Sequence, residues 1–235
     1  MLRFDGTGGF VPVQWALTEL IEYSLYSDGR VVVGESSGGS PTPAVRAYAE
    51  TRVDDLTVVE FLGLIEQLGI ADFADETNNE MQNFVADAET NVVEYFDEEG
   101  GVHRYSVYAL GMSDFEDADG RVAVTRQIAE AFRSIDISDA RPLPIDRLQV
   151  WIGEVAPDSS YHTVRPWQFA FPTIQTDSSG FEYTCIELTG DDAAVAVDTL
   201  QSADSTTLWS EGDVAYSVVA RPLLEWQTGC ENSDY

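Results

Sequence analysis

Gly34-Glu35-Ser36-Ser37-Gly38 has the G-x-S-x-G spacing of a nucleophile elbow, and it follows an apparent strand, residues 30–33, as that motif requires. An elbow must then enter a helix, so that the serine is strained above an oxyanion hole. Here Gly39-Ser40-Pro41-Thr42-Pro43 follows, and no helix starts in the required way. The base of a Ser36 triad would have to be His103 or His162, the two histidines of the chain. His103 falls inside a hairpin strand and His162 in the loop 159–163, and each reads as an exposed polar residue. A serine hydrolase using Ser36 is therefore the alternative reading, not the leading one.

Asp114, Glu116, Asp117 and Asp119 precede Gly120 in the manner of a calcium loop. An EF-hand needs a bidentate Glu six residues after the glycine, but Arg126 stands there and Phe115 takes a ligand position. Asp117 and Asp119 remain as a weak cation pair beside the simpler reading of a solvated turn, and no resident metal is expected.

The absence of lysine excludes a P-loop, a Schiff base, an S-x-x-K site and the usual kinase ion pair. Two Cys and two His, all far apart, cannot supply the spaced pairs of a structural zinc site. Gly6-Thr7-Gly8-Gly9 is followed by Pro12 and Trp15, where a dinucleotide fingerprint demands glycine and a helix. No cofactor is expected.

Tyr161, Arg165, Trp167, Phe169 and Phe171 form an aromatic, Arg-bearing segment framed by Pro166 and Pro172, the residue types from which interface anchors are made. It reads either as a binding surface or as an edge strand packed on the core. Cys185 lies in an apparent strand and Cys230 near the end of the chain. A bond between them would tie down the tail and stabilise the fold by about 2–4 kcal/mol, in an oxidising compartment. The alternative is two free thiols.

These residues need elements to hold them. With 235 residues, 44% of them apolar, the chain can close a substantial core in one large domain or two small ones. No stretch approaches the roughly 20 apolar residues of a membrane-spanning helix. A formal charge of -30 repels phosphate backbones and anionic lipid, so nucleic acid is not an expected partner. It fits a solvated acidic shell or adaptation to high salt. The opening residues show no basic and apolar leader, which fits either a cytoplasmic protein or one whose leader was removed.

Residues 22–27 alternate and meet Asp28-Gly29 and then 30–33, which predicts a hairpin. Residues 45–53 read as a strand. A helix follows, with Thr57 and Glu60 at capping-box spacing, Val58, Phe61, Leu62, Ile65 and Leu68 as its buried face, and Gly69 as its stop. After a polar segment, 72–87, comes a second hairpin (91–96 and 102–108), and then a helix carrying Val124, Ile128, Ala131, Phe132 and Ile135 on one face. Arg141-Pro142-Leu143-Pro144 reads as a linker that resists regular structure. Beyond it are a strand (148–152), a helix capped by Thr189 with Asp192, and a third hairpin (208–210 and 214–220). This order predicts an α+β fold with a mostly antiparallel sheet built from hairpins and about three amphipathic helices. Residues 1–140 form one domain or half and residues 141–235, with the Cys pair, the second.

The order Gly8-Gly9-Phe10-Val11-Pro12, then Tyr23 to Val32, Leu68-Gly69-Ile70 and Tyr108-Ala109-Leu110-Gly111 resembles the start of a group of uncharacterised secreted or lipid-anchored proteins of actinobacteria. Tyr183-Thr184-Cys185-Ile186, Ala203 to Ser210 and Tyr216 to Leu224 are similar to the second half of that group. The first half is also similar to a broader bacterial domain of unknown function. The resemblance covers most of the chain and rests on turns, hairpins and a Cys pair, so it implies an envelope location and no activity. The leader and lipobox cysteine of that group are not seen here, and a lipid anchor would belong to a longer precursor. The leading expectation is a non-catalytic extracytoplasmic or cell-envelope protein acting by binding an unidentified protein or small-molecule ligand. A salt-adapted acidic cytoplasmic protein is the second alternative.

Overall fold

The computed structural model describes residues 1–8, 16–35, 43–72, 74–83, 85–112, 120–155, 163–169, 183–211 and 213–230. The chain divides into two compact units. The first comprises Met1–Val11, Ile21–Glu35 and Tyr48–Leu143, and the second Pro12–Leu20, Ser36–Ala47 and Pro144–Tyr235. The fold is α+β and its sheets are mostly antiparallel.

In the first unit the strands are β1 (Leu2–Gly8), β2 (Tyr23–Leu25), β3 (Arg30–Gly34), β4 (Tyr48–Arg52), β5 (Asp75–Asn78), β6 (Glu89–Phe96), β7 (Val102–Tyr108) and β8 (Arg141–Pro142). They make one sheet in the order β5-β7-β6-β1-β2-β3-β4-β8. Every pairing is antiparallel except β5 with β7. Strand alternation puts Leu2 and Phe4 of β1 on the face shared with Leu25, Val31, Val33, Val93 and Tyr105. Helices α1 (Asp55–Leu68) and α2 (Arg121–Arg133) contribute to that core with Phe61, Ile65, Leu68, Ile128 and Phe132. The Phe132 ring is its hub, with centroids 4.4 Å from Phe61, 5.2 Å from Tyr23 and 6.3 Å from Phe4.

Three details depart from the sequence reading, each for a local reason. Asp54, not Thr57, caps α1: its Oδ1 accepts from Thr57 N at 2.8 Å and from Thr57 Oγ1 at 2.7 Å. Leu62 is 45% exposed, because one residue beyond Phe61 the helix has already turned it away from the core. Arg141 and Pro142 pair with Glu50 and Ala49 of β4 instead of remaining irregular, on an outer strand where the missing proline N–H breaks no ladder. Gly69 ends α1 as expected, in the left-handed conformation at φ 65, with its N–H on the carbonyls of Ile65 and Glu66.

In the second unit β9 (Arg147–Glu154), β10 (Thr163–Pro166), β11 (Tyr183–Thr189), β12 (Thr207–Glu211) and β13 (Val214–Pro222) form a sheet in the order β10-β12-β13-β9-β11. Among these strand pairings β10 with β12 is parallel and the others are antiparallel. Helix α3 (Asp191–Leu200) sets Ala193, Ala196, Val197 and Leu200 against Leu148, Val150, Ile152, Val218 and Ala220. Ala44 and Val45 join this core, and Ala220 N donates to Ala44 O at 2.8 Å. Thr189 does not cap α3. It closes the pairing of β11 with β9, so Gly190 precedes the helix and makes no side-chain cap bond. The opposite face carries Trp151 and Val219 with Leu17, flanked by Tyr183 and Cys185.

Candidate ligand groove and its surroundings

Strand β10 runs parallel to β12 with Val164 opposite Leu208 and Arg165 opposite Trp209. Thr207, Leu208 and Trp209 are buried, as the β-rich sequence of β12 favours, while β10 at the margin of the sheet leaves Val164 exposed. On the Trp209 side, β10 meets the outer face of α3. Ala193, Ala196 and Val197 turn inward, which leaves Val195, Asp198, Thr199 and Ser202 on the outside at helical spacing.

Between them lies an open groove of about 470 Å³, floored by Trp209 and walled by Arg165, Pro166 and Gln168 on one side and Val195, Asp198, Thr199 and Ser202 on the other. Its polar groups are ordered. Arg165 NH1 donates to Ser202 Oγ at 2.7 Å, and Gln168 Nε2 donates to Thr199 Oγ1 at 3.3 Å. The hydroxyls in turn donate into the helix, Thr199 to Val195 O at 2.8 Å and Ser202 to Thr199 O at 3.3 Å. Behind the floor Trp209 packs edge-on against Trp167 at 5.2 Å, and Trp167 against Phe169 at 5.4 Å.

Of the aromatic segment singled out by sequence, Arg165 lines this groove, Trp167 is buried beneath it and Phe169 is half-buried against the core. Tyr161 and Phe171 lie outside the described residues. Gln168, Asp198, Thr199 and Ser202 were missed. The signal for Asp198 and Thr199 was the polar side of an otherwise Ala/Val-rich helix, which Ser202 follows, but nothing local says which strand that side faces.

The cysteines form a disulfide, Cys185–Cys230, with Cα atoms 5.6 Å apart across a sequence separation of 45. Arg147 fastens the same tail: its NH1 donates to Gln227 O at 3.0 Å while its Nε pairs with Glu187 Oε1 at 2.7 Å. Gly229 passes so close to the Glu187 carboxylate that a Cβ there would collide with Oε2.

Ser36 and His162 lie outside the described residues, as do Asp114, Asp117 and Asp119. His103 sits in β7, where Nε2 meets Asp97 Oδ2 at 3.1 Å. Asp97 also accepts from the Gly101 and Glu99 amides, so this histidine clamps the β6–β7 turn. These partners, His103 first, hold the Asp97 carboxyl below its ordinary value. Glu22 and Glu89 behave oppositely. Burial pushes both upward, the Glu89 charge adding to the effect on Glu22, while Arg133 works against both shifts. Among the described residues no group of three or more His, Cys, Asp or Glu could hold a metal ion, and no helix is long and apolar enough to cross a membrane. No family model, curated protein or solved structure matches the chain.

Proposed function

We propose that this is a non-catalytic extracytoplasmic protein of the cell envelope that binds an amphipathic small molecule in the β10–α3 groove. The observation that carries the binding reading is the groove itself. Its volume of about 470 Å³ lies within the range of small-molecule sites, roughly 300–1,000 Å³. It joins apolar surface from Val195 and Pro166, over the buried Trp209, to a guanidinium held in place by Ser202. The fixed Arg165 guanidinium offers an anchor to an anionic head, with Asp198 on the other wall working against it, and the apolar lining suits an apolar body. Disulfides persist in oxidising compartments, and the Cys185–Cys230 bond supports the location.

A matched pair of probes tests the binding reading: octanoate and octylamine share an alkyl chain and differ in the sign of the head. NMR titration is expected to shift Arg165, Ser202 and Thr199 with octanoate and not with octylamine, and Arg165→Gln is expected to abolish the effect. Equal responses to the two, or shifts confined elsewhere, overturn the site. For the location, thiol titration of the denatured protein before reduction is expected to find no free thiol, and two free thiols would remove that support.

A further inference from the structure

We propose that the first unit carries a second, independent docking site, the apolar outer stripe of α1, whose occupant is a cationic amphipathic helix of a partner protein. Helix α1 is apolar on two sides. Phe61, Ile65 and Leu68 face the core, yet Leu56, Val59 and Leu62 are 67%, 60% and 45% exposed on the side turned away from it. At three-residue intervals they form one stripe about 9 Å long, using the rise of roughly 1.5 Å per residue. That length matches the reach of anchors at i, i+3 and i+7 on a docking helix. Large apolar side chains gathered on one helix face are not needed for this fold, since the sheet-facing side already closes the core.

The cavity of about 600 Å³ between the start of α1 and the end of α2 takes Thr57, Phe61 and Leu64 from the other side of the helix and is not part of this site. Helix α1 itself contributes Asp55, Glu60 and Glu66 and no basic residue.

Charge decides the occupant. A second copy of this chain would bring the same carboxylates to the same stripe, at -30 on each chain, and an anionic lipid surface would be repelled likewise. A helix with leucine-type anchors flanked by Lys and Arg satisfies both the apolar stripe and the acidic surround.

The probe is a fluorescein-labelled 18-residue peptide of Leu and Lys arranged in helical register, with a scrambled peptide of the same composition as control, each titrated with the whole protein by fluorescence anisotropy. A simple polyanion would bind both peptides alike, whereas the docking site is expected to prefer the amphipathic peptide by about tenfold or more. The variant Leu56→Ser/Val59→Ser/Leu62→Ser keeps every charge and alters only exposed side chains. With unchanged circular dichroism it is expected to lose that preference. Equal binding of the two peptides overturns the proposal, as does an unchanged preference in the variant. Sedimentation showing a dimer of the parent that the variant dissolves also overturns it, because the stripe would then belong to a second copy.

Discussion

Arg221 Nε donates to Gln149 Oε1 at 2.9 Å, joining β13 to β9 through a glutamine that is completely buried. The other end of the same amide, Nε2, donates to Cys185 Sγ at 3.3 Å. The guanidinium also lies 5.1 Å from the centroid of the Trp151 ring. Gln149 is thus a polar residue in an apolar strand that holds position because both ends of its amide are met. Gln149→Leu keeps the volume and removes the acceptor from Arg221. It is expected to lower stability by about 1–3 kcal/mol in urea unfolding. An unchanged midpoint would show that the pair contributes nothing net.

The disulfide closes a long loop, and its removal should be felt through the unfolded chain. Cys185→Ser with Cys230→Ser is expected to cost about 2–4 kcal/mol. Limited proteolysis is expected to trim the tail beyond Leu224 faster in the double variant, and only partly so, because Arg147 still holds Gln227.

Gly29 occupies the left-handed region at φ 79 in the β2–β3 turn, and a Cβ there would lie 2.6 Å from the Val53 carbonyl oxygen. That oxygen belongs to backbone and cannot swing aside, and Val53 N is itself bonded to Gly29 O at 2.9 Å. Gly29→Ala is expected to destabilise by at least about 1–2 kcal/mol, read from thermal melts at fixed pH. Gly63 has open space at its Cβ position, so Gly63→Ala in α1 should instead be neutral or stabilising.

Glu22 gives a pH signature of definite sign. Burial first, and the charge of Glu89 second, raise its carboxyl above its ordinary value, so the folded state binds this proton more tightly than the unfolded chain does. Stability from this group therefore falls as pH rises from about 4.5 through the raised value. Asp97 and Asp204, held low by His103 and Thr206, act the other way and withdraw stability as pH falls below the ordinary aspartate range. Glu22→Gln removes the first effect and leaves the second. Its urea midpoint is expected to match the parent near pH 4.5 and to exceed it increasingly toward pH 8. A constant offset across that window would refute the linkage.

Local signals carried the fold class. Asp28-Gly29, the alternation in β6 and β7 and the Gly69 stop each act over a few residues, and each produced the predicted element. Strand β5 was not legible, because Asp75–Asn78 is polar and mostly exposed and becomes a strand only through its ladder with β7. The groove was half legible for a related reason. Arg165 announced itself by composition, but its partner Ser202 lies 37 residues away, in the turn that follows a helix whose orientation no short-range pattern encodes. The outer stripe of α1 was misread because Leu62 has the right residue type for the core and the wrong angle around the helix.

The mixed ancestry of the second core has a consequence for the order of events on the ribosome. Leu17, Ala44 and Val45 are synthesised well before the residues they pack against, which run from Leu148 to Ala220. At roughly 5–20 residues per second the nascent chain carries these apolar side chains uncovered for on the order of ten seconds or more. A chain cut after Leu143 would keep them uncovered indefinitely, so the second unit cannot be obtained as a simple C-terminal fragment, and the first released that way carries two orphaned segments prone to aggregation.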